Sequence, residues 1–459
     1  MPFISIGATF YRAVADSNII RNVGSRGLLV VFACAMLVGC GGSSGSNAQL
    51  TSVGIAVTVA PGSFTMGVGS NYQFAATVTG TSNTAVNWQV NGVAGGNATV
   101  GTIDSTGLYI APGTIPNETI SVTAVAQADG VSNGSAAITL ESSDPLGTGA
   151  GSTITCPTVA GVSPGTCYSV ALSCPGIADL NGYLWVNLPS GTPKGTVLLT
   201  GGANSEGLYA DPTIYTYGAD VVNGLVAAGY TTVQTSFGGV FTTAQPFGWQ
   251  TGPGGLRRVA CRYATLAKWV QENINAPASA PMCATGNSAG SGLIGYAMAH
   301  YNGNSLFTMV EPTSGPPFSR LDYSCECNQP DLPDPCVAGT TLTQCVGLKN
   351  AQDYIDPAYA APTICSSDES SHSTANAAQF LSDSILSPEA TLTYSNTYVH
   401  FAFGGQDTTS APVMGQLWEE VITPASRTAF ACVADAPHDL ADVPDAATLI
   451  VSDIVADCH

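Results

Sequence analysis

Apolar positions along this chain follow two rules in succession. From about residue 51 to 141, short runs alternate apolar and polar side chains at 54–59, 72–78, 86–90, 107–110, 120–125 and 136–140. Turn residues separate these runs, and no stretch has helical spacing. A series of short half-buried strands predicts an all-β sandwich over 51–141, with Trp88 as its core aromatic. From about 156 the rule changes. Apolar runs at 183–188, 196–200, 282–285, 307–310, 398–403 and 428–433, with the β-branched stretch 231–236 among them, read as strands of a covered sheet. Between them, 215–228, 256–272, 289–300, 412–421 and 446–454 carry helical patterns. Strands alternating with helices predict a mainly parallel sheet flanked by helices over 156–459. Regularity fails at about 321–372, where Pro and Cys gather, and so long an excursion reads as a lid or a substrate loop. The Gly/Ser/Thr-rich stretch 142–155 reads as a linker between the two regions.

The first 40 residues carry a separate signal. Arg21 and Arg26 precede an apolar run, 28–38, too short to span a bilayer stably, which ends in Leu37-Val38-Gly39-Cys40. The pattern predicts an export signal over 1–40 and a flexible tether over 41–50. The four residues ending at Cys40 resemble the lipobox of bacterial lipoproteins. That resemblance implies acylation of Cys40 and a membrane anchor outside the cytoplasm; an ordinary signal peptide cleaved nearby would instead give a secreted protein.

Composition fits export. Only 9% of residues are charged, the formal net charge is -20, and 52 glycines stand beside abundant Ser, Thr and Asn. So acidic a chain, with no Lys/Arg cluster, is repelled by phosphate backbones, which excludes nucleic acid as a partner. Of 14 cysteines, Cys34 and Cys40 precede residue 41 and the remainder fall between Cys156 and Cys458. An even set in an exported chain predicts disulfides rather than metal ligation, and Cys325-x-Cys327 lacks the spacing and nearby histidines of a zinc knuckle. The sequence does not disclose which cysteines pair.

Candidate chemistry centres on one of four Gly-x-Ser-x-Gly matches, at 41–45, 130–134, 161–165 and 286–290. Only Gly286-Asn287-Ser288-Ala289-Gly290 has a predicted strand before it and a predicted helix after it, the setting in which a sharp turn exposes a serine hydroxyl. A serine hydroxyl needs an imidazole to take its proton. Among five histidines, His300 ends the following helix, His372 lies in the irregular excursion, His400 sits inside a strand, and His459 is the last residue. His438, in Ala436-Pro437-His438-Asp439 after the last strand, lies at the sheet edge where active-site loops gather. Its orienting carboxylate is expected to be Asp407, which follows strand 398–403 through Gly404-Gly405-Gln406, with Glu311 after the preceding strand as the alternative acid. Asp435 and Asp439 are too close to His438 in sequence to orient it easily. Oxyanion donors are expected from Ala289 N–H and from the Gly201-Gly202-Ala203 turn after strand 196–200, at Gly202 and Ala203.

In motif order and strand pattern, 156–459 resembles the α/β-hydrolase superfamily. The resemblance implies hydrolysis through an acyl-enzyme, most often of carboxylic esters, with no metal or organic cofactor. Residues 51–141 are similar to the bacterial immunoglobulin-like domains of surface proteins, on Val86-Asn87-Trp88-Gln89-Val90-Asn91-Gly92 and Gly107-Leu108-Tyr109. Such domains act as spacers or adhesive modules. The combined expectation is an envelope-anchored or secreted ester hydrolase, its substrate small or polymeric, with polyester suggested by analogy alone. An exported serine peptidase of the same fold and a catalytically silent surface binding protein are the alternatives.

Overall fold

The computed structural model describes residues 54–203, 207–241 and 248–459. The predicted export signal, the tether and Cys40 lie outside the described residues.

The N-terminal region is all β, as its period of two requires. Val86–Val90, Ile120–Ala126 and Asn133–Glu141 pair antiparallel in one sheet, with Ser63–Gly67 added parallel to the last. Asn71–Gln73, Leu108–Ile110, Gly101–Ile103 and Gly96–Asn97 form another. Every second residue of Ile120–Ala126 is buried. The inward side chains share one core, in which Trp88 packs with Phe74, Val90, Tyr109 and Val122.

The second region is built on a nine-stranded sheet. Its strands are β1 (Thr148–Ile154), β2 (Thr166–Ser173), β3 (Leu180–Asn187), β4 (Thr196–Thr200) and β5 (Thr231–Phe237), then β6 (Met282–Asn287), β7 (Met309–Thr313), β8 (Tyr398–Gly404) and β9 (Thr428–Val433). The spatial order is β1-β2-β3-β5-β4-β6-β7-β8-β9. The first three strands and the β3–β5 pair are antiparallel; from β5 to β9 every pairing is parallel. Helices α1 (Gly218–Ala228), α2 (Leu256–Val259), α3 (Cys261–Asn273), α4 (Ala289–His300), α5 (Leu321–Glu326), α6 (Ile364–Ser371), α7 (Ala377–Asp383), α8 (Ala411–Glu419) and α9 (Pro444–Asp457) follow in chain order. This is the α/β-hydrolase fold expected from the alternation. Both faces of the central strands are covered: in β4, Leu198 enters the core shared with α3 and α4, while Val197 and Leu199 enter the core shared with α1 and α9. That double burial is why β4 reads as an unbroken apolar run.

The stretch read as a linker is instead the edge of this sheet. β1 pairs antiparallel with β2 along its length. Its glycines are there because Trp269 of α3 lies across them: a Cβ on Gly151 would fall 2.1 Å from the Trp269 ring, and one on Gly149 would fall 3.1 Å away. All the cysteines from Cys156 to Cys458 are paired. Cys156–Cys167, Cys174–Cys261 and Cys283–Cys458 staple the sheet to its surroundings. Cys325–Cys365, Cys327–Cys345 and Cys336–Cys432 hold the irregular excursion to itself and to β9.

The N-terminal region packs against the second region, with charged side chains of the second region buried between the two. Arg257 donates from Nε to Asp144 Oδ2 at 2.6 Å and from Nη2 to the Val68 carbonyl at 2.9 Å. Asp144 also accepts the Gly67 N–H at 3.0 Å. Asn71 donates to Asp383 Oδ1 at 2.9 Å, and the Arg258 guanidinium lies 5.0 and 5.1 Å from the ring centroids of Phe64 and Tyr72. Taking charges out of water is costly, so each must keep its partner. Arg257→Ala leaves the Asp144 carboxylate buried without its cation. Urea unfolding should register a loss of about 3–5 kcal/mol, the usual cost of removing one member of a buried pair.

Candidate active site

β6 runs at the centre of the sheet and ends at Asn287, and α4 starts at Ala289. Ser288 makes the turn between them with φ 52° and ψ -118°, a backbone conformation that L side chains rarely adopt. Two bare Cα atoms permit the turn. A Cβ on Gly286 would sit 2.7 Å from the carbonyl carbon of Gly290, and one on Gly290 would sit 2.6 Å from the carbonyl oxygens of both Thr200 and Gly201. The turn is held by the Ser288 N–H, which donates to the Thr313 carbonyl of β7 at 2.9 Å.

His438 lies on the loop after β9, and its Nδ1 donates to Asp407 Oδ2 at 2.7 Å. Asp407 follows β8, is buried, and is fixed by the Thr409 N–H at 2.9 Å. Thr409 Oγ1 lies 3.3 Å from the same histidine nitrogen. Burial opposes ionisation of Asp407, but the bond to His438, its charge and the Thr409 contacts outweigh it and hold the carboxyl below its ordinary range. Burial likewise disfavours the imidazolium of His438. The bond and charge of Asp407, with Asp439 nearby, outweigh that and raise the imidazole above its ordinary value.

Ser288 and His438 line one cavity of about 600 Å³. The residues next to each are tied: Asn287 Nδ2 donates to Asp439 Oδ1 at 2.9 Å, which draws the loop bearing His438 against the turn bearing Ser288. Asp439, set aside as the orienting acid because it adjoins His438 in sequence, is therefore part of a brace. Pro317 and Phe318 form one wall. The excursion contributes another, Val346, Asn350 and Tyr354, so the segment read as a lid or substrate loop borders the candidate site under three disulfides. Neither lysine nor arginine lines the cavity among the described residues.

Two sequence-stated candidates part from their expected places. Glu311 lies within β7, not after it, fully buried, with neither carboxylate oxygen bonded among the described residues. Burial, with Asp453 nearby, holds it well above the usual carboxylate range. Nothing joins it to His438, whose Nδ1 belongs to Asp407. The Gly202 N–H donates to the Tyr215 hydroxyl at 2.7 Å, so it is engaged away from an oxyanion. Ala289 N–H at the start of α4 and Ala203 in the left-handed turn, φ 48°, still border the cavity. The other histidines lie apart: His300 is buried against the Ser384 carbonyl and pushed down to about 3 chiefly by burial, while His400 faces Asp453 and Asp457. Tyr215, Asn287 and Thr409 escaped sequence reading. Asn287 carried a signal, its place inside the serine motif; Thr409 and Tyr215 carried none.

No protein-family model and no curated protein matches the chain. Among solved structures it is similar to an α/β serine hydrolase without a lid from Xanthomonas campestris, 13% identical over 68% of this chain and 96% of that one, with a TM-score of 0.33. A soluble variant of monoglyceride lipase from Saccharomyces cerevisiae is 11% identical over 66% and 97%, TM-score 0.37. Brefeldin A esterase, a bacterial homologue of human hormone-sensitive lipase, is 13% identical over 66% and 79%, TM-score 0.41. Likenesses this distant say nothing of substrate.

The state of Glu311 has a consequence for stability. In the unfolded chain a glutamate ionises near its ordinary value of about 4.3. Above that pH the folded protein binds the proton that the unfolded chain has lost, so stability falls as pH rises toward the raised folded value. Glu311→Gln removes the titration. The melting temperature of the variant relative to the parent should therefore rise between about pH 4 and about pH 8, as read by thermal scans at both.

Proposed function

We propose that the protein is an exported serine hydrolase that cleaves carboxylic esters through an acyl-enzyme. The observation that carries this reading is the His438–Asp407 bond of 2.7 Å at the cavity onto which the strained Ser288 opens. In this reading His438 Nε2 takes the Ser288 hydroxyl proton as Oγ attacks the ester carbonyl, and Asp407 stabilises the resulting imidazolium. The tetrahedral oxyanion is held by backbone N–H groups at Ala289 and Ala203. Collapse breaks the C–O bond; the departing alcohol takes the proton from His438. Water, deprotonated by the same imidazole, then releases the acid and restores Ser288.

The cavity supports an uncharged acyl group. It has apolar walls at Phe318, Val346 and Ile214, and Asp439, its only carboxylate among the described residues, is engaged by Asn287. An anionic acyl group would meet neither lysine nor arginine there among the described residues. Export is supported by the six disulfides, and anchoring through Cys40 by the Leu37-Val38-Gly39-Cys40 sequence alone.

The test is labelling of the oxidised protein with a fluorophosphonate, followed by a p-nitrophenyl ester series. Labelling should vanish in Ser288→Ala, and butyryl esters should be turned over in preference to hemisuccinyl esters. A folded sample that neither labels nor turns over any ester overturns the reading. Asp407→Asn should lower turnover by about 10⁴-fold, as loss of the orienting carboxylate does in a Ser-His-Asp triad. Glu311→Gln should leave turnover near that of the parent. Because the base must be neutral, activity should fall on acidification at a pH above the ordinary histidine value of about 6.5. A pH profile of kcat/KM checks the position of that limb.

A further inference from the structure

We infer that Tyr215 is a positioning residue for the oxyanion turn, fixing the Gly201-Gly202-Ala203 backbone against both the Ser288 turn and the loop that carries His438. The inference rests on the functional reading above and names a residue that reading does not use.

Tyr215 is buried just before α1, and its ring packs on Tyr209 with centroids 4.8 Å apart. Its hydroxyl accepts the Gly202 N–H at 2.7 Å. The next two residues grip the loop beyond His438: Thr216 N–H donates to Asp442 Oδ1 at 2.8 Å, and Tyr217 N–H to the Ala441 carbonyl at 2.7 Å. One short segment thus holds two of the loops that meet at the candidate site. The third is close by. A Cβ placed on Gly202 would lie 3.2 Å from Ser288 Cβ and 3.4 Å from the Tyr215 hydroxyl oxygen, so that hydroxyl stands beside the serine turn.

The bond also decides which amide can act. With the Gly202 N–H turned to the phenol, the peptide plane at that residue is set, and the following residue, Ala203, takes a left-handed conformation bordering the cavity. An oxyanion hole works by holding its donors in place before charge develops, so a free turn would forfeit much of its effect. Burial, with Asp439 nearby, raises the Tyr215 hydroxyl above its ordinary range, and it therefore stays protonated and keeps the same bond across the working pH.

The experiment compares Tyr215→Phe with Tyr230→Phe in the full chain. Tyr230 lies in the same core and donates to the Cys458 carbonyl at 2.9 Å, so its variant also removes one tyrosine hydroxyl bond, but away from the site. Tyr215→Phe should lower kcat for p-nitrophenyl butyrate about 10- to 100-fold with KM within about twofold. It should weaken a trifluoromethyl ketone, whose adduct carries the oxyanion, in the same proportion as kcat/KM falls. Tyr230→Phe should do neither. A Tyr215→Phe enzyme with parental kcat, one whose defect lies in KM alone, or equal losses in both variants overturns the inference while leaving the ester reading intact. An unmodified protein that turns over no ester fails the functional reading itself, before the variants are compared.

Discussion

At Gly290 the start of α4 lies against the end of β4 with no room for a side chain, since a Cβ would fall 2.6 Å from the carbonyl oxygens of Thr200 and Gly201. The site depends on this backbone-to-backbone approach. It presses the turn after β4 against the first helical residues, so Gly202 and the Ser288 turn come within side-chain contact. The same approach compresses the chain between Gly286 and Gly290 until Ser288 must adopt a positive φ. Strain of that kind costs of order 1–3 kcal/mol and persists only where the surroundings over-determine it. Here the surroundings are a central strand buried along its length, the Thr313 carbonyl that receives the Ser288 N–H, and a helix whose residues are all buried. The rigidity that makes the turn affordable also fixes the direction of the hydroxyl.

Three acids near the centre show how environment divides one chemistry into separate roles. Asp407 is buried but meets an imidazole N–H and a backbone N–H, so its charge is retained. Asp439 meets an amide from Asn287, and burial holds it above its ordinary range. Glu311 meets no bonding partner among the described residues, and burial holds it well above the usual carboxylate range. Sequence position after a strand could nominate both Asp407 and Glu311. The choice between them comes from which lies in reach of His438: Asp407 bonds its Nδ1, and Glu311, inside β7, has no bond among the described residues.

The features legible in the sequence were those carried by local period and local turn chemistry. Largely apolar runs marked β4 and β8, and a strand and a helix on either side singled out one serine motif of four. Composition misled where a distant side chain explained it. Gly149 and Gly151 suggested a flexible linker, yet their lack of Cβ is what Trp269, more than 100 residues along, requires of an edge strand. Gly202 read as an open donor because nothing local shows that Tyr215 takes its N–H. The paired Arg257 and Arg258 gave no sign that they would be buried under a different region of the chain.

That burial changes what the N-terminal region is. Residues 382–384 receive contacts from three directions: Asn71 and Arg257 reach Ser382 and Asp383, the Tyr296 hydroxyl of α4 donates to the Asp383 carbonyl, and His300 at the end of α4 meets the Ser384 carbonyl. These residues close α7, where the chain returns from the disulfide-held excursion that walls the cavity. The β region therefore bears on the same short segment as α4 and the end of the cavity wall. Arg257 gives an N–H to the Val68 carbonyl and Asn71 donates to Asp383, so parting the regions would leave buried polar groups of the second region without these partners. Asp383, pushed up to about 6 chiefly by burial, accepts one of these bonds. The β region thus packs against the sheet region as a structural wall, and a fragment beginning at residue 156 would lack both this wall and the edge strand β1.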